Sequence, residues 1–180
     1  MIDRFLAALR KLAVDRGGTV LIEFAMAFPV LILLYLGTYA MSDAIACNRK
    51  VTVTARALTD LATRYPALTE AEALKILNAS AQALSPFDSS KAMITLSEVQ
   101  VTSTTQAKVI WSRALNGTQL TNNQVVTIPT DMAPVNTYMI IGQVSYDYTP
   151  PVKLASFGGD LTLRDSIVML PRVSDQVPIS

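Results

Sequence analysis

Apolar and polar positions follow three different rhythms along these 180 residues. From Val20 to Met41 there is almost no rhythm, because nearly every side chain is apolar and Glu23 is the one formal charge. A hydrocarbon core about 30 Å thick needs roughly 20 apolar residues in a helix, and residues 22–41 supply that length. After Gly37 the pattern becomes a stripe, Met41, Ala44, Ile45, Val51, Ala55, Leu58, Ala62 and Tyr65, spaced by threes and fours. Arg49, Lys50, Arg56, Asp60 and Arg64 fall mostly off it, as on an amphipathic helix. Span and stripe together predict one helix from about Thr19 to Tyr65, roughly 70 Å long, ended by Pro66. Pro29 removes one backbone hydrogen bond inside it, so a kink or local unwinding is expected there.

A second helix is announced by Thr69-Glu70-Ala71-Glu72, a capping box in which hydroxyl and carboxylate satisfy each other's backbone donors. Leu74, Leu77, Ala81 and Leu84 form its apolar side, and Ser85-Pro86 stops it. From residue 92 the period shortens. "AMITLSEVQV" and "AKVIWSRAL" read as strands, with turn chemistry at Asn116-Gly117. In "TYMIIGQVSYDYTP" strict alternation puts Tyr138, Ile140, Val144, Tyr146 and Tyr148 on one face. Met139, Ile141, Gln143, Ser145 and Asp147 take the other. "SIVMLPRVS" offers a last strand ended by Pro171, while residues 116–137 and 150–160 read as loops. The fold expected is α+β: a long N-terminal helix, membrane-spanning in its first half, packed with a short helix on an antiparallel sheet. Tyr138, Val144, Tyr146 and Tyr148 are expected to meet the helix stripe of Val51, Ala55, Leu58 and Ala62.

Charge orients this picture. Residues 1–18 carry Arg4, Arg10, Lys11 and Arg16 against Asp3 and Asp15, which favours a cytoplasmic N-terminus. Arg49, Lys50 and Arg56 beyond the span blunt the contrast. Three regions follow: a basic cytoplasmic leader at 1–18, a transmembrane half-helix at 19–41, and an extracytoplasmic domain at 42–180. A net charge of +1 gives no reason to invoke nucleic acid.

The inventory for chemistry is thin. The chain has no histidine and one cysteine, which removes the commonest general base and the usual metal sites. No catalytic residue, metal or cofactor is expected, and no enzyme. Asp147, Asp160 and Asp165 lack the alternating spacing of a calcium loop and read as solvated carboxylates. Cys47 reads as a small residue packed on a helix face, and Trp111 as core or sheet-face packing.

The constellation that stands out is Gly17-Gly18-Thr19-Val20-Leu21-Ile22-Glu23-Phe24, placed after basic residues and at the head of the apolar span. It resembles the prepilin processing motif, in which a membrane-embedded aspartyl peptidase cuts after the glycine on the cytoplasmic side. "EFAMAFPVLILLYLG" followed by "NRKVTVTARALTDLATR" narrows the likeness to the TadE-like minor pilins and pseudopilins of tight-adherence (Flp-type) systems. "VSYDYTP" and "LPRVS" are similar to segments near the C-terminal ends of such proteins. Glu23-Phe24 departs from the glutamate–tyrosine pair of the small major Flp pilins, and the length argues for a minor subunit. The resemblance implies processing between Gly18 and Thr19, and subunit assembly through Glu23 and Phe24. It also implies four partners: other major and minor pilins, a prepilin peptidase, an inner-membrane assembly platform and membrane lipid. The alternative from the residues alone is an uncleaved single-pass anchor displaying an unrelated binding domain, which accounts for the span but not for Glu23.

Overall fold

The alternating segments at 92–101 and 138–148 become neighbouring strands at the middle of a sheet. A computed structural model describes residues 17–130, 132, 134–152 and 160–180. Residues 1–16, with the basic leader, and part of the connection expected at 150–160 lie outside the described residues. The elements are α1 (Gly17–Ala62), α2 (Glu70–Gln82), β1 (Ala92–Val101), β2 (Gln106–Leu115), β3 (Val125–Thr127), β4 (Tyr138–Tyr148) and β5 (Leu161–Met169). The sheet runs β3-β2-β1-β4-β5 with every neighbouring pair antiparallel. The fold is α+β.

Two compact units divide at residues 42 and 43. The first holds the apolar part of α1, whose side chains from Gly18 to Tyr35 are all exposed. The helix continues on both sides of Pro29, which lies inside it. One missing N–H is a local loss, and the turns on either side hold the helix together.

The second unit holds the core. Cys47, Val51, Ala55, Leu58 and Ala62 of α1 pack with Ile76, Leu77 and Ala81 of α2 and with Ile94, Leu96, Trp111, Ile140, Val144, Tyr146 and Tyr148 of the sheet. The stripe on α1 therefore begins at Ala44, half-buried against this core, since Met41 and Ile45 are exposed. It also includes three threonines, Thr54, Thr59 and Thr63, which composition alone does not mark as core. Thr59 and Thr63 return their hydroxyls to the helix carbonyls of Ala55 (2.8 Å) and Asp60 (2.9 Å), so burial leaves those two satisfied. α1 ends at Ala62, three residues before the expected Tyr65. The amides of Arg64 and Tyr65 bond only three residues back, to Leu61 and Ala62. Pro66 disfavours helical backbone in the residue before it, which tightens and ends the turn.

The capping box on α2 forms as the sequence predicts: Thr69 N donates to Glu72 at 2.8 Å, and Glu72 N donates to the Thr69 hydroxyl at 3.3 Å. The buried side of α2 is Ala73, Ile76, Leu77, Ser80 and Ala81, while Leu74 is exposed. Arg113 of β2 grips Glu70 through Nε (2.5 Å) and Nη2, tying the start of α2 to the sheet.

Three strand expectations change. Residues 116–137 contain β3, too short to show an alternation of its own. β5 starts at Leu161, five residues before the expected Ser166, and ends at Met169. Tyr138 is half-buried and outside the core that Val144, Tyr146 and Tyr148 enter. The remaining difference is a bulge: Glu98 pairs with Trp111 but Val99 pairs with Val109, which leaves Ile110 as an extra residue. It turns Trp111 toward the helices and Val109 toward the opposite face, although both are odd-numbered. On that opposite face Val99, Val101, Ala107, Val109, Met139 and Ile141 form a second core under Ile128.

Gly142 sets the distance between α1 and the sheet. A Cβ there would overlap the Thr59 hydroxyl and stand 3.1 Å from the Ala55 carbonyl and 3.2 Å from Leu58 Cδ2. Gly142→Ala is expected to destabilise the second unit by about 1–3 kcal/mol through overpacking. Tyr146→Ala, which empties a site edge-on to Phe87 (centroids 6.3 Å apart), is expected to cost about 3–5 kcal/mol. Denaturant unfolding of the detergent-solubilised chain measures both. A silent Gly142→Ala would mean that α1 stands farther from β4.

Candidate functional site

At the head of α1, Gly18 and Thr19 occupy the first turns, exposed and helical. Two glycines at a helix start carry low helix propensity, about 1 kcal/mol each relative to alanine, so this end opens cheaply. Thr19 and Glu23 are four residues apart, which at roughly 100° per residue puts them on one face, a turn apart. Glu23 is exposed and has no hydrogen-bond or ion-pair partner among the described residues. Phe24 and Phe28 sit ring to ring at 5.4 Å, tilted by 32°. Pro29 follows directly. This part of α1 is the one described helix long and apolar enough to cross a membrane, and its most apolar stretch has no buried residue. These features are consistent with a membrane anchor.

The structure thus carries Gly18, Thr19, Glu23, Phe24 and Pro29 along one exposed helix. What it adds lies in the second unit. Glu98 stands on the helix-facing side of β1, in line with Ile94 and Leu96, and is 1% exposed. Its two oxygens serve two donors: Val177 N reaches Oε1 at 2.5 Å and Trp111 Nε1 reaches Oε2 at 3.0 Å. The same indole N–H also lies 2.8 Å from the Val177 carbonyl. One carboxylate and one indole thereby hold the backbone of Val177, a fully buried residue in the C-terminal segment. That segment is further fixed to the α1–α2 linker, with Leu68 N on Pro178 O (2.9 Å) and Ser180 N on Leu68 O (3.0 Å).

Sequence reading misses this node. The signal is a glutamate on the apolar parity of a strand, where a buried carboxylate requires donors. Two other polar contacts sit on α1 itself. Asp43 accepts the Tyr148 hydroxyl at 2.7 Å, and Asp60 is paired with Arg64 (2.5 Å) and Arg172 (2.7 Å). Cys47 is fully buried and packs as a small apolar residue. Among the described residues no group of three or more His, Cys, Asp or Glu is placed to hold a metal ion. Comparison with protein-family models, with curated proteins and with solved structures returns no match for this chain.

Burial raises the Glu98 carboxyl above its ordinary value of 4.5, and the hydrogen bonds from Val177 and Trp111 pull in the opposite direction without cancelling it. The folded chain therefore binds this proton more tightly than the unfolded chain. The stability contributed is fully present below the unfolded value and is lost as pH rises through the folded one. Glu98→Gln keeps the shape but offers one acceptor where two donors converge, a loss of about 1–3 kcal/mol, and it also removes the buried charge. The stability gap between wild type and Glu98→Gln is expected to be widest in acid and to narrow as pH rises above 4.5. The exposed carboxylates Glu70, Glu72 and Asp88, whose values are lowered by their hydrogen bonds, are common to both proteins and cancel in the difference. Urea unfolding across pH measures the gap; a gap that widens with pH would reverse this assignment.

Proposed function

We propose that this chain is a minor pilin or pseudopilin of a tight-adherence (Flp-type) type IV pilus, a structural subunit involved in surface attachment. In this reading the basic leader is cytoplasmic and a prepilin peptidase cuts between Gly18 and Thr19. Residues 19–41 remain in the inner membrane, and the domain from residue 42 lies in the periplasm until the subunit enters the fibre. Its partners are other major and minor pilins, the inner-membrane assembly platform and membrane lipid.

The observation that carries the reading is Glu23. It is the one formal charge between Val20 and Met41, on an exposed apolar helix, five residues after Gly18. A carboxylate at the centre of a spanning helix costs about 2.5–3.5 kcal/mol on insertion scales, less toward the interface, and is a functional residue by default. Cleavage after Gly18 creates a cationic amine on Thr19. Within one subunit that amine lies a turn from Glu23, and on a neighbouring subunit it compensates the carboxylate only in the correct axial register. Phe24 beside Glu23 supplies an apolar contact on the same face as Phe28. The α+β domain, with a helix stripe packed on an antiparallel sheet, is compatible with a pilin head.

A second reading, the uncleaved anchor, draws on the helical backbone through Gly18 and Thr19, since a peptidase cleft takes extended chain. Mass spectrometry of the N-terminus of membrane-extracted protein separates the two. A chain beginning at Thr19 is expected, and one beginning at Met1 identifies the anchor. Gly18→Arg is expected to leave the precursor uncut. Glu23→Gln is expected to be inserted and cleaved normally yet to be absent from assembled pili and from co-purified pilin complexes. Normal assembly of Glu23→Gln would remove the docking role.

A further inference from the structure

The sheet face turned away from α1 is divided. Toward the C-terminal end of β1 it is closed over by the second core, with Leu120, Val126 and Ile128 covering it. Toward the N-terminal end of β1 it stays open as a groove of about 530 Å³, within the range of small-ligand pockets. Thr95 and Gln143 lie directly opposite each other on its floor, across β1 and β4. Ser166 of β5 continues that row beside Gln143, and Arg164 stands one row along, beside Ser145. The Ser145 hydroxyl oxygen is buried there without a hydrogen-bond partner. The far wall is the turn at Gly117 and Thr118. Asn116 anchors that turn, taking a positive φ of 55° and donating from Nδ2 to the carbonyls of Ala92 (3.2 Å) and Ser89 (3.3 Å).

The groove is lined by one cation, Arg164, and by one carboxylate, Asp165, whose Oδ2 is turned to the Thr52 hydroxyl of α1. Arg164 is its one cationic lining residue and takes part in none of the ion pairs among the described residues. The neighbouring carboxylates are occupied. Asp165 accepts the Ser166 amide (2.8 Å) and the Thr52 hydroxyl, and Asp147 accepts the Thr162 hydroxyl (3.1 Å). β1 and β4 are paired on both edges, so their backbones offer nothing for an added peptide strand. Recognition here comes from side chains: one guanidinium with a row of hydroxyl and amide groups.

We propose that this groove binds an acidic sugar unit, a hexuronate. Arg164 forks its carboxylate, and Thr95, Gln143 and Ser166 meet the ring hydroxyls. The inference goes beyond subunit assembly and does not depend on cleavage or on pilus formation, because it concerns the domain face of a single chain.

Full-length protein in detergent micelles is titrated with glucuronate, glucose, acetate and an acidic tetrapeptide by isothermal calorimetry. Saturable glucuronate binding in about the millimolar range is expected, with glucose and acetate each at least tenfold weaker. Arg164→Gln, an exposed substitution, is expected to weaken glucuronate at least tenfold while Arg164→Lys keeps part of the affinity. Thr118→Trp, which narrows the groove without touching Arg164, is expected to block binding. Absence of saturable glucuronate binding overturns the proposal. So does equal affinity for glucose, acetate or the peptide, or unchanged binding by Arg164→Gln.

Discussion

The second unit depends on one close approach, that of α1 to β4 at Gly142. Helices ordinarily stand off a sheet by the thickness of two layers of side chains. Here a strand position without a side chain lets the Thr59 hydroxyl and the Ala55 backbone come down onto the sheet. This contact brings the helix stripe of Val51, Ala55, Leu58 and Ala62 into one core with Ile140, Val144 and Tyr146 of β4. It also explains the small residues on the buried side of α1. An alanine or a threonine fits at that separation, and Leu58 packs at the same place because position 142 has no side chain, its Cδ2 lying 3.2 Å from where a Cβ would stand. The Thr59 hydroxyl is already bonded to Ala55 O, so that donor is met at the point of closest packing.

The bulge in β2 is the second constraint, and it works on both faces at once. Without the extra residue at Ile110, strict alternation would send Val109 and Trp111 to the same side of the sheet. With it, Trp111 reaches the helix-side core and delivers its N–H to Glu98, while Ala107 and Val109 enter the opposite core. Glu98 converts that local irregularity into a long-range tie. The C-terminal segment returns across the end of the helix layer because two backbone groups of Val177 find partners on β1 and β2. A buried carboxylate is a poor source of stability by itself, but it places a segment specifically because few other arrangements satisfy it.

Much of this is legible in the sequence, and the misses share a cause. β1, β4, the capping box of α2 and the stripe on α1 are readable because each rests on local periodicity over ten residues or so. β3 has three residues and takes its place only by pairing with β2, so nothing local marks it. The start of β5 is set by Tyr148 pairing with Leu161 across a long connection, again a non-local choice. Leu74 misleads because leucine reads as core by type, whereas Ala73, Ile76 and Ser80 occupy the buried side by geometry. Gly142 and Glu98 each carry a usable signal: an isolated glycine within a strand, and a charge on an apolar parity. Gly18, Thr19, Glu23 and Phe24 lie on one continuous helix, as the apolar span predicts.

Glu23 and Glu98 pose the same electrostatic problem, and the described residues solve only one of them. Each carboxylate sits on an apolar surface, one on a helix of membrane-spanning length and one inside the domain core. Glu98 is given a peptide N–H and an indole N–H within the fold, one for each oxygen. Glu23 is given nothing by the described residues of its own chain, and the side chains around it, Leu21, Ile22, Phe24 and Met26, are exposed and apolar. A helix N-terminus offers some relief through its dipole, about 0.3–1 kcal/mol, which falls short of the cost at the centre of a span. The balance has to come from outside the helix. Headgroup water and a cation on another molecule are the two physical sources. Of these only the cation is sensitive to axial position, because its attraction falls steeply once the pair separates in low dielectric. An unpaired charge on an apolar helix is therefore a position sensor when a partner of opposite sign exists, and the assembly role proposed for Glu23 rests on this property.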